Sequence, residues 1–171
     1  MSPAFDKTFD RLMGHEGGWV NDPEDPGGET NWGITWPVLH EAISRKIVPP
    51  ETTIATLTRD QAKLIYKPLF WDVAGLDDYD PAVAYQAMDV AVNSGVTAAT
   101  ILLQRAAGVA ADGRIGPVTR AAIKAMDKND MLMLLTAERM DFQTRLKNWP
   151  VAGKGWTRRN AGNLRYAAQD N

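Results

Sequence analysis

The stretch PAFDKTFDRLMGHEGGWVNDPEDPGGETNWGIT, residues 3–35, decides how the chain is read. Its first half has helical periodicity. Ser2 is placed to cap a helix and Pro3 to occupy its first position. Phe5, Phe9, Leu12 and Met13 recur at helical spacing and give one apolar stripe. Gly17-Gly18 is expected to stop the helix, which would put Glu16 at its C-terminal end. The backbone dipole there disfavours a carboxylate and raises its pKa. The second half is turn chemistry: glycines and prolines crowd residues 23–33 beside Asn and Asp. Short apolar pieces at Trp19-Val20 and Trp32-Gly33-Ile34 allow a small hairpin there and no larger sheet.

Outward from this stretch, the chain reads as helices. Thr35 is a candidate cap with Pro37 close behind. Thr58 and Gln61 have the spacing of a capping box for a helix carrying Ala62, Leu64 and Ile65. Asp80-Pro81 opens a helix that is apolar nearly all round (Val83, Ala84, Ala87, Met88, Ala91), as expected of a central buried helix. Thr97–Ala107 reads as a helix closed by Gly108. Turn-rich residues 108–117 lead to a helix starting at Pro117, and a longer one follows over Asn129–Leu146. Residues 148–155 are expected to break the chain before a last basic helix at 156–168. The expected fold class is therefore mainly α, with a small β-hairpin and loop region after the first helix. No repeat, heptad array or low-complexity segment is present.

Composition narrows the function classes. At 171 residues and 44% hydrophobic, the chain affords a real core. It has no cysteine, and its two histidines, His15 and His40, lack zinc-ligand spacing, so neither a metal nor a cofactor is expected. The net charge of -2 conceals an asymmetry. Residues 1–30 hold two cations against seven acids, and residues 139–171 hold seven cations against two acids. That pattern fits ordinary solvated surface, or a basic face that holds an anionic polymer near an acidic cleft. A basic tail without an RNA or DNA motif gives no case for nucleic acid. Acidic residues come early, and no apolar run of signal-peptide or membrane-spanning length follows. The expectation is a protein made in the cytoplasm without a signal, not inserted in a membrane, and monomeric.

Cutting a glycosidic bond usually needs a carboxylic acid that protonates the leaving oxygen and a second group that supplies or positions the nucleophile. The acid must stay protonated near neutral pH, which calls for a desolvated pocket. Glu16 has Trp19 nearby to exclude water. Asp25 lies nine residues on in the Gly/Pro-rich loop, with Asp22 in the same loop as its rival. Aspartate before proline is also a routine turn former, and Asp22-Pro23 and Asp25-Pro26 both fit that role. Thr30 carries a hydroxyl suited to holding a water. Trp19, Trp32, Tyr66 and Trp71 offer flat apolar faces for sugars or for core packing, and core is favoured for Trp71.

Residues 15–35, HEGGWVNDPEDPGGETNWGIT, resemble the N-terminal signature of glycoside hydrolase family 108, lysozyme-like muramidases common among bacteriophage endolysins. The pattern Glu-Gly-Gly, aromatic, Asn-Asp-Pro, Asp-x-Gly-Gly-x-Thr, Gly-Ile-Thr is met almost throughout. Tyr66 with Phe70-Trp71-Asp72, Asp89 with Asn93-Ser94-Gly95, Gly108–Thr119 and Gly155-Trp156 with Arg158-Arg159-Asn160 extend the likeness over nearly the whole chain. The resemblance implies a lysozyme-like fold, with a catalytic lobe over 1–91 and a helical peptidoglycan-binding lobe over 92–171. It implies an N-acetylmuramidase with Glu16, Asp25 and Thr30 as catalytic residues and Trp19, Asp22, Trp32, Tyr66 and Asn93 on the substrate. The Glu-to-Asp spacing matches that of phage lysozymes. Asp25 to Thr30 is one residue shorter, so Thr30 and Thr35 both stand as the threonine. A carboxylate separation near about 5 Å would mean retention and roughly 6.5–9.5 Å inversion; the phage-lysozyme likeness leans to inversion. The likeness also implies a holin for delivery to the wall. The competing readings are a non-catalytic peptidoglycan-binding module and a lytic transglycosylase.

Overall fold

The computed structural model describes residues 2–14, 18–20 and 28–170. Two compact units divide between Val73 and Ala74.

The first unit begins with α1 (Pro3–Met13). The Ser2 hydroxyl accepts the Phe5 N–H, and Pro3 starts the helix with its φ already suited to it. The helix ends at Gly14, whose N–H returns to the carbonyls of Asp10 and Arg11. Its last residue is thus Met13, ahead of the Gly17-Gly18 pair expected to stop it; Glu16, expected at the helix end, lies outside the described residues. Glycine's high backbone entropy makes the first of the clustered glycines sufficient. A short ribbon follows. Strands β1 (Thr30–Asn31) and β2 (Ile34–Thr35) pair antiparallel with Thr30 opposite Thr35, and Val20 bridges to Thr30 on the other side. Then come α2 (Trp36–Ser44) and α3 (Arg59–Tyr66).

The capping box forms as expected. The Thr58 hydroxyl accepts the Gln61 N–H, and the Gln61 side chain accepts the Thr58 N–H. Thr35 sits at the cap position of α2, yet its side chain makes no capping bond. In α3, Ala62 and Ile65 are buried while Leu64 faces water. α3 runs into one π turn at Lys67–Trp71. Pro68 there supplies no N–H to an α ladder, and the Asp72 N–H reaches back five residues to Lys67.

The core of this unit is aromatic. Phe5 meets Trp71 edge-on at 5.4 Å and Phe9 meets Tyr66 edge-on at 5.7 Å, geometries the ring quadrupoles favour. Trp71 is fully buried, the core role expected of it. Lys63 pairs with Asp6 at 2.7 Å, and its hydrogen bond holds the Asp6 carboxyl below the usual range.

The second unit is built on α4 (Pro81–Ser94), the expected central helix: every residue from Ala82 to Ala91 is buried. Asp80 caps it through the Ala82 N–H. Around it pack α5 (Val96–Ala106), α7 (Lys128–Thr144) and α8 (Trp149–Gln169), and α6 (Pro117–Ala125) packs on α5. The loop between α5 and α6 is held by one buried side chain. Gln104 Oε1 accepts the Gly113 N–H, and Gln104 Nε2 reaches Asp112, the Arg114 carbonyl and Thr119.

α8 departs from expectation. Residues 149–155, expected to break the chain, are its first two turns. Pro150 is tolerated in the first turn, where its missing N–H has no intrahelical partner to lose. Gly153 is where the Trp149 ring lies: a Cβ there would stand 2.9 Å from it. Trp149 in turn packs near Trp156, at 6.1 Å between ring centres. Glycine costs a helix about 1 kcal/mol, but any larger residue at 153 would meet the Trp149 ring.

The buried centre of this unit is ionic. Asp89 is fully buried and Arg139 nearly so. Arg159 gives Asp89 Oδ1 two hydrogen bonds, from Nε at 2.9 Å and Nη2 at 2.7 Å. Asn163 Nδ2 donates to Oδ2 at 2.8 Å. Arg139 Nη1 stands 2.6 Å from Oδ2 as an ion pair, off the line of an N–H hydrogen bond. Burial pushes the Asp89 carboxyl up, but the two guanidinium groups outweigh it and hold it below the usual carboxylate range.

A polypeptide with eight α-helices and one two-stranded sheet among its described residues is mainly α, as the sequence indicated.

Candidate active site

The site is built on the ribbon after α1. The two residues between β1 and β2, Trp32 and Gly33, both have positive φ, at 52° and 72°. That is the mirror-image two-residue turn whose twist suits a hairpin. Glycine adopts it freely, but a bulky residue there is strained and persists only when its surroundings fix it. Those fixings are visible. Trp32 Nε1 donates to the Leu57 carbonyl at 3.1 Å, and the Trp32 carbonyl accepts the Tyr66 hydroxyl at 3.0 Å. The neighbouring Asn31 is buried, and its Nδ2 donates to the carbonyls of Ile54 (2.9 Å) and Leu57 (3.2 Å). The hairpin is thus clamped to the segment before α3 and to the end of α3, which fixes the position of Thr30.

Thr30 is half-buried and is the middle residue of three, bonded through its backbone to Val20 at 2.8 Å in both directions and paired with Thr35. Both candidate threonines therefore sit side by side in register. Glu16, Asp22 and Asp25, with His15, lie outside the described residues.

The aromatic candidates separate. Trp19 is 55% exposed, and its Nε1 donates to Glu29 Oε1 at 2.8 Å. Trp32 is half-buried with its N–H committed to Leu57. Tyr66, expected to lie on the substrate, is fully buried among Phe9 and Phe70, so its ring packs the core and its hydroxyl holds the hairpin. Its position on the buried face of α3, beside Ile65 and Ala62, is what the helical phase of that segment dictates. Asn93 is exposed near the end of α4, and its Nδ2 donates to the Asp89 carbonyl one turn back at 2.7 Å.

Three residues escaped the sequence reading. Asn31 has no signal of its own, because a buried asparagine in a turn-rich stretch looks like any turn residue. Glu29 looks like a solvated loop acid. Trp36, 49% exposed at the start of α2, looks like a core aromatic. Among the described residues no group of His, Cys, Asp and Glu is arranged to hold a metal ion. No helix among them is long and apolar enough to cross a membrane.

Comparison with known proteins agrees with this layout. Residues 9–95 match the family model described as Glycosyl hydrolase 108, and residues 98–161 match that described as Predicted Peptidoglycan domain. A solved structure titled "Structure of Brucella abortus SagA" is 34% identical, with a TM-score of 0.88, and the match covers 96% of this chain and 94% of that one. No curated protein sequence matches the chain. The first match takes in α1 from Phe9 onward, the ribbon, α2, α3 and α4, and the second runs from within α5 to within α8, with peptidoglycan as the partner. The chain belongs to the glycosyl hydrolase 108 family: it is a peptidoglycan-related glycoside hydrolase followed by a peptidoglycan domain.

Proposed function

We propose that the protein is an N-acetylmuramidase of the endolysin kind, cutting the β-1,4 bond between N-acetylmuramic acid and N-acetylglucosamine. The observation that carries the reading is the clamped hairpin within the family match, with Thr30 fixed at its centre. In this reading Glu16 donates the proton to the glycosidic oxygen. Asp25, ahead of Asp22, activates a water that Thr30 positions, and Trp19 and Trp32 line the sugar path. Asn93 is assigned a substrate hydrogen bond. The first lobe, 1–91, carries the chemistry, and the second, 92–171, holds the wall. The enzyme works as a monomer in the wall, and a bacteriophage holin gives it access.

A carboxylic acid supplying the proton is worth typically 10²–10⁴-fold, and the bond does not break at useful rates without it. Glu16→Gln keeps the side chain's size and removes the proton. Purified peptidoglycan digested with the parent protein should yield new reducing ends, read by mass analysis. Glu16→Gln should yield none while melting like the parent. Substantial lysis by that variant would falsify the assignment of Glu16. A 1,6-anhydro end would identify a lytic transglycosylase, and binding without cleavage a non-catalytic module.

A further inference from the structure

We infer that Trp19, Glu29 and Trp36 form a platform for an uncharged β-1,4-linked N-acetylhexosamine, set on the ribbon that carries Thr30; the choice of sugar rests on the function proposed above. A single exposed aromatic is ordinary surface, but exposed aromatics grouped beside a polar group mark a binding surface. Trp19 and Trp36 are 55% and 49% exposed, and both flank one three-residue rung. Val20 bridges to Thr30 and Thr30 pairs with Thr35. Trp19 precedes Val20, Glu29 precedes Thr30 and Trp36 follows Thr35, so all three are next neighbours of one backbone-bonded rung, and strand alternation sets Trp19 and Glu29 on the face opposite the Thr30 side chain. The two tryptophans stand two strands apart, on the order of 10 Å.

Glu29 is tied to Trp19 and, by the Thr30–Thr35 register, lies across from Trp36 in sequence order. Trp19 Nε1 donates to Glu29 Oε1 at 2.8 Å, which orients the indole and fixes the carboxylate. A carboxylate accepts from sugar hydroxyls and amide N–H groups, and an indole face covers the apolar face of a pyranose. The same negative charge repels carboxylates, so the platform takes neutral glycan in preference to an acidic stem peptide. The charge layout of the sequence agrees: the acids are concentrated in residues 1–30 and the cations in residues 139–171.

The test is calorimetric titration of the full chain with chitotetraose, a neutral β-1,4 N-acetylglucosamine tetramer, alongside wall clearing. The parent should bind it. Trp36→Ala should weaken binding about three- to tenfold, the worth of one stacked ring, with its melting temperature unchanged because the side chain is half in water. Glu29→Gln keeps an acceptor for Trp19 and should narrow the preference for chitotetraose over a stem-bearing muropeptide. A parent that clears walls but does not bind chitotetraose overturns the platform and leaves the muramidase reading standing. A Trp36→Ala protein that binds within twofold of the parent also overturns it. A parent that binds with the expected losses but never cleaves sustains the platform and sinks the hydrolytic reading.

Discussion

Asp89→Asn should unfold the protein far more readily than any surface charge change. Asp89 is fully buried, and the side chains of Arg139 and Arg159 that face it are 4% and 15% exposed. Its Oδ1 accepts two hydrogen bonds from Arg159, and its Oδ2 accepts one from Asn163 and pairs with Arg139. An amide in its place turns one of those oxygens into a donor. Whichever way the amide is turned, a donor then faces donors, and two guanidinium groups lose their counter-charge. Removing one partner of a buried ion pair costs about 3–5 kcal/mol, because an uncompensated charge stays behind. For a chain of this length that corresponds to a fall in Tm of roughly 6–20 °C.

The assay is thermal unfolding followed by circular dichroism at neutral pH. Asp141→Asn is the comparator: it removes an exposed pair with Arg145 and should cost no more than about 0.5 kcal/mol. The pH dependence supplies a second arm. Because the Asp89 carboxyl is held low in the folded state, its contribution is full above the unfolded value of about 3.9 and is lost as pH falls through the lower folded value. The gap in Tm between parent and variant should therefore be constant from neutral pH down to about pH 5 and close only in stronger acid. An Asp89→Asn protein that melts within about 2 °C of the parent would refute the reasoning, as would a gap that ignores acid.

Two further outcomes follow from local structure. Thr58→Ala removes the hydroxyl that accepts the Gln61 N–H and should cost about 1 kcal/mol, seen as a Tm lower by roughly 2–4 °C. Gly75→Ala places a side chain at φ 64°, with its Cβ 2.7 Å from the Arg120 guanidinium. The flexible Arg120 tip can yield, so the left-handed backbone sets the loss at about 1–2 kcal/mol, measured by urea unfolding.

How much was legible follows from how far each signal travels along the chain. Helix starts were readable because capping is local: Ser2-Pro3, the Thr58/Gln61 box and Asp80-Pro81 all act within one turn. The buried character of α4 was readable because its apolar residues leave no polar face. The ends were less so. α1 stops at Gly14 rather than Gly17, and α8 starts at Trp149 through two glycines. In α8 the deciding term is a Trp149 ring lying on Gly153, a packing fact that glycine propensity does not contain.

The site divides in the same way. The sequence by itself marked residues 15–35 as the candidate site, since carboxylates, glycines and threonines at those spacings can be recognised one after another along the chain, and the family match spans that stretch. Only the tertiary structure decided what Tyr66 and Trp36 do, for both are aromatic residues of helical segments. One turns inward, where its hydroxyl clamps the Trp32 carbonyl, and the other stands half in water. Asn31, Ile54 and Leu57 meet across more than twenty residues of chain, and Asp89 finds Arg139 and Arg159 across fifty and seventy. Such partners are set by the closing of the fold around buried polar groups that must be satisfied, and no spacing along the chain encodes them.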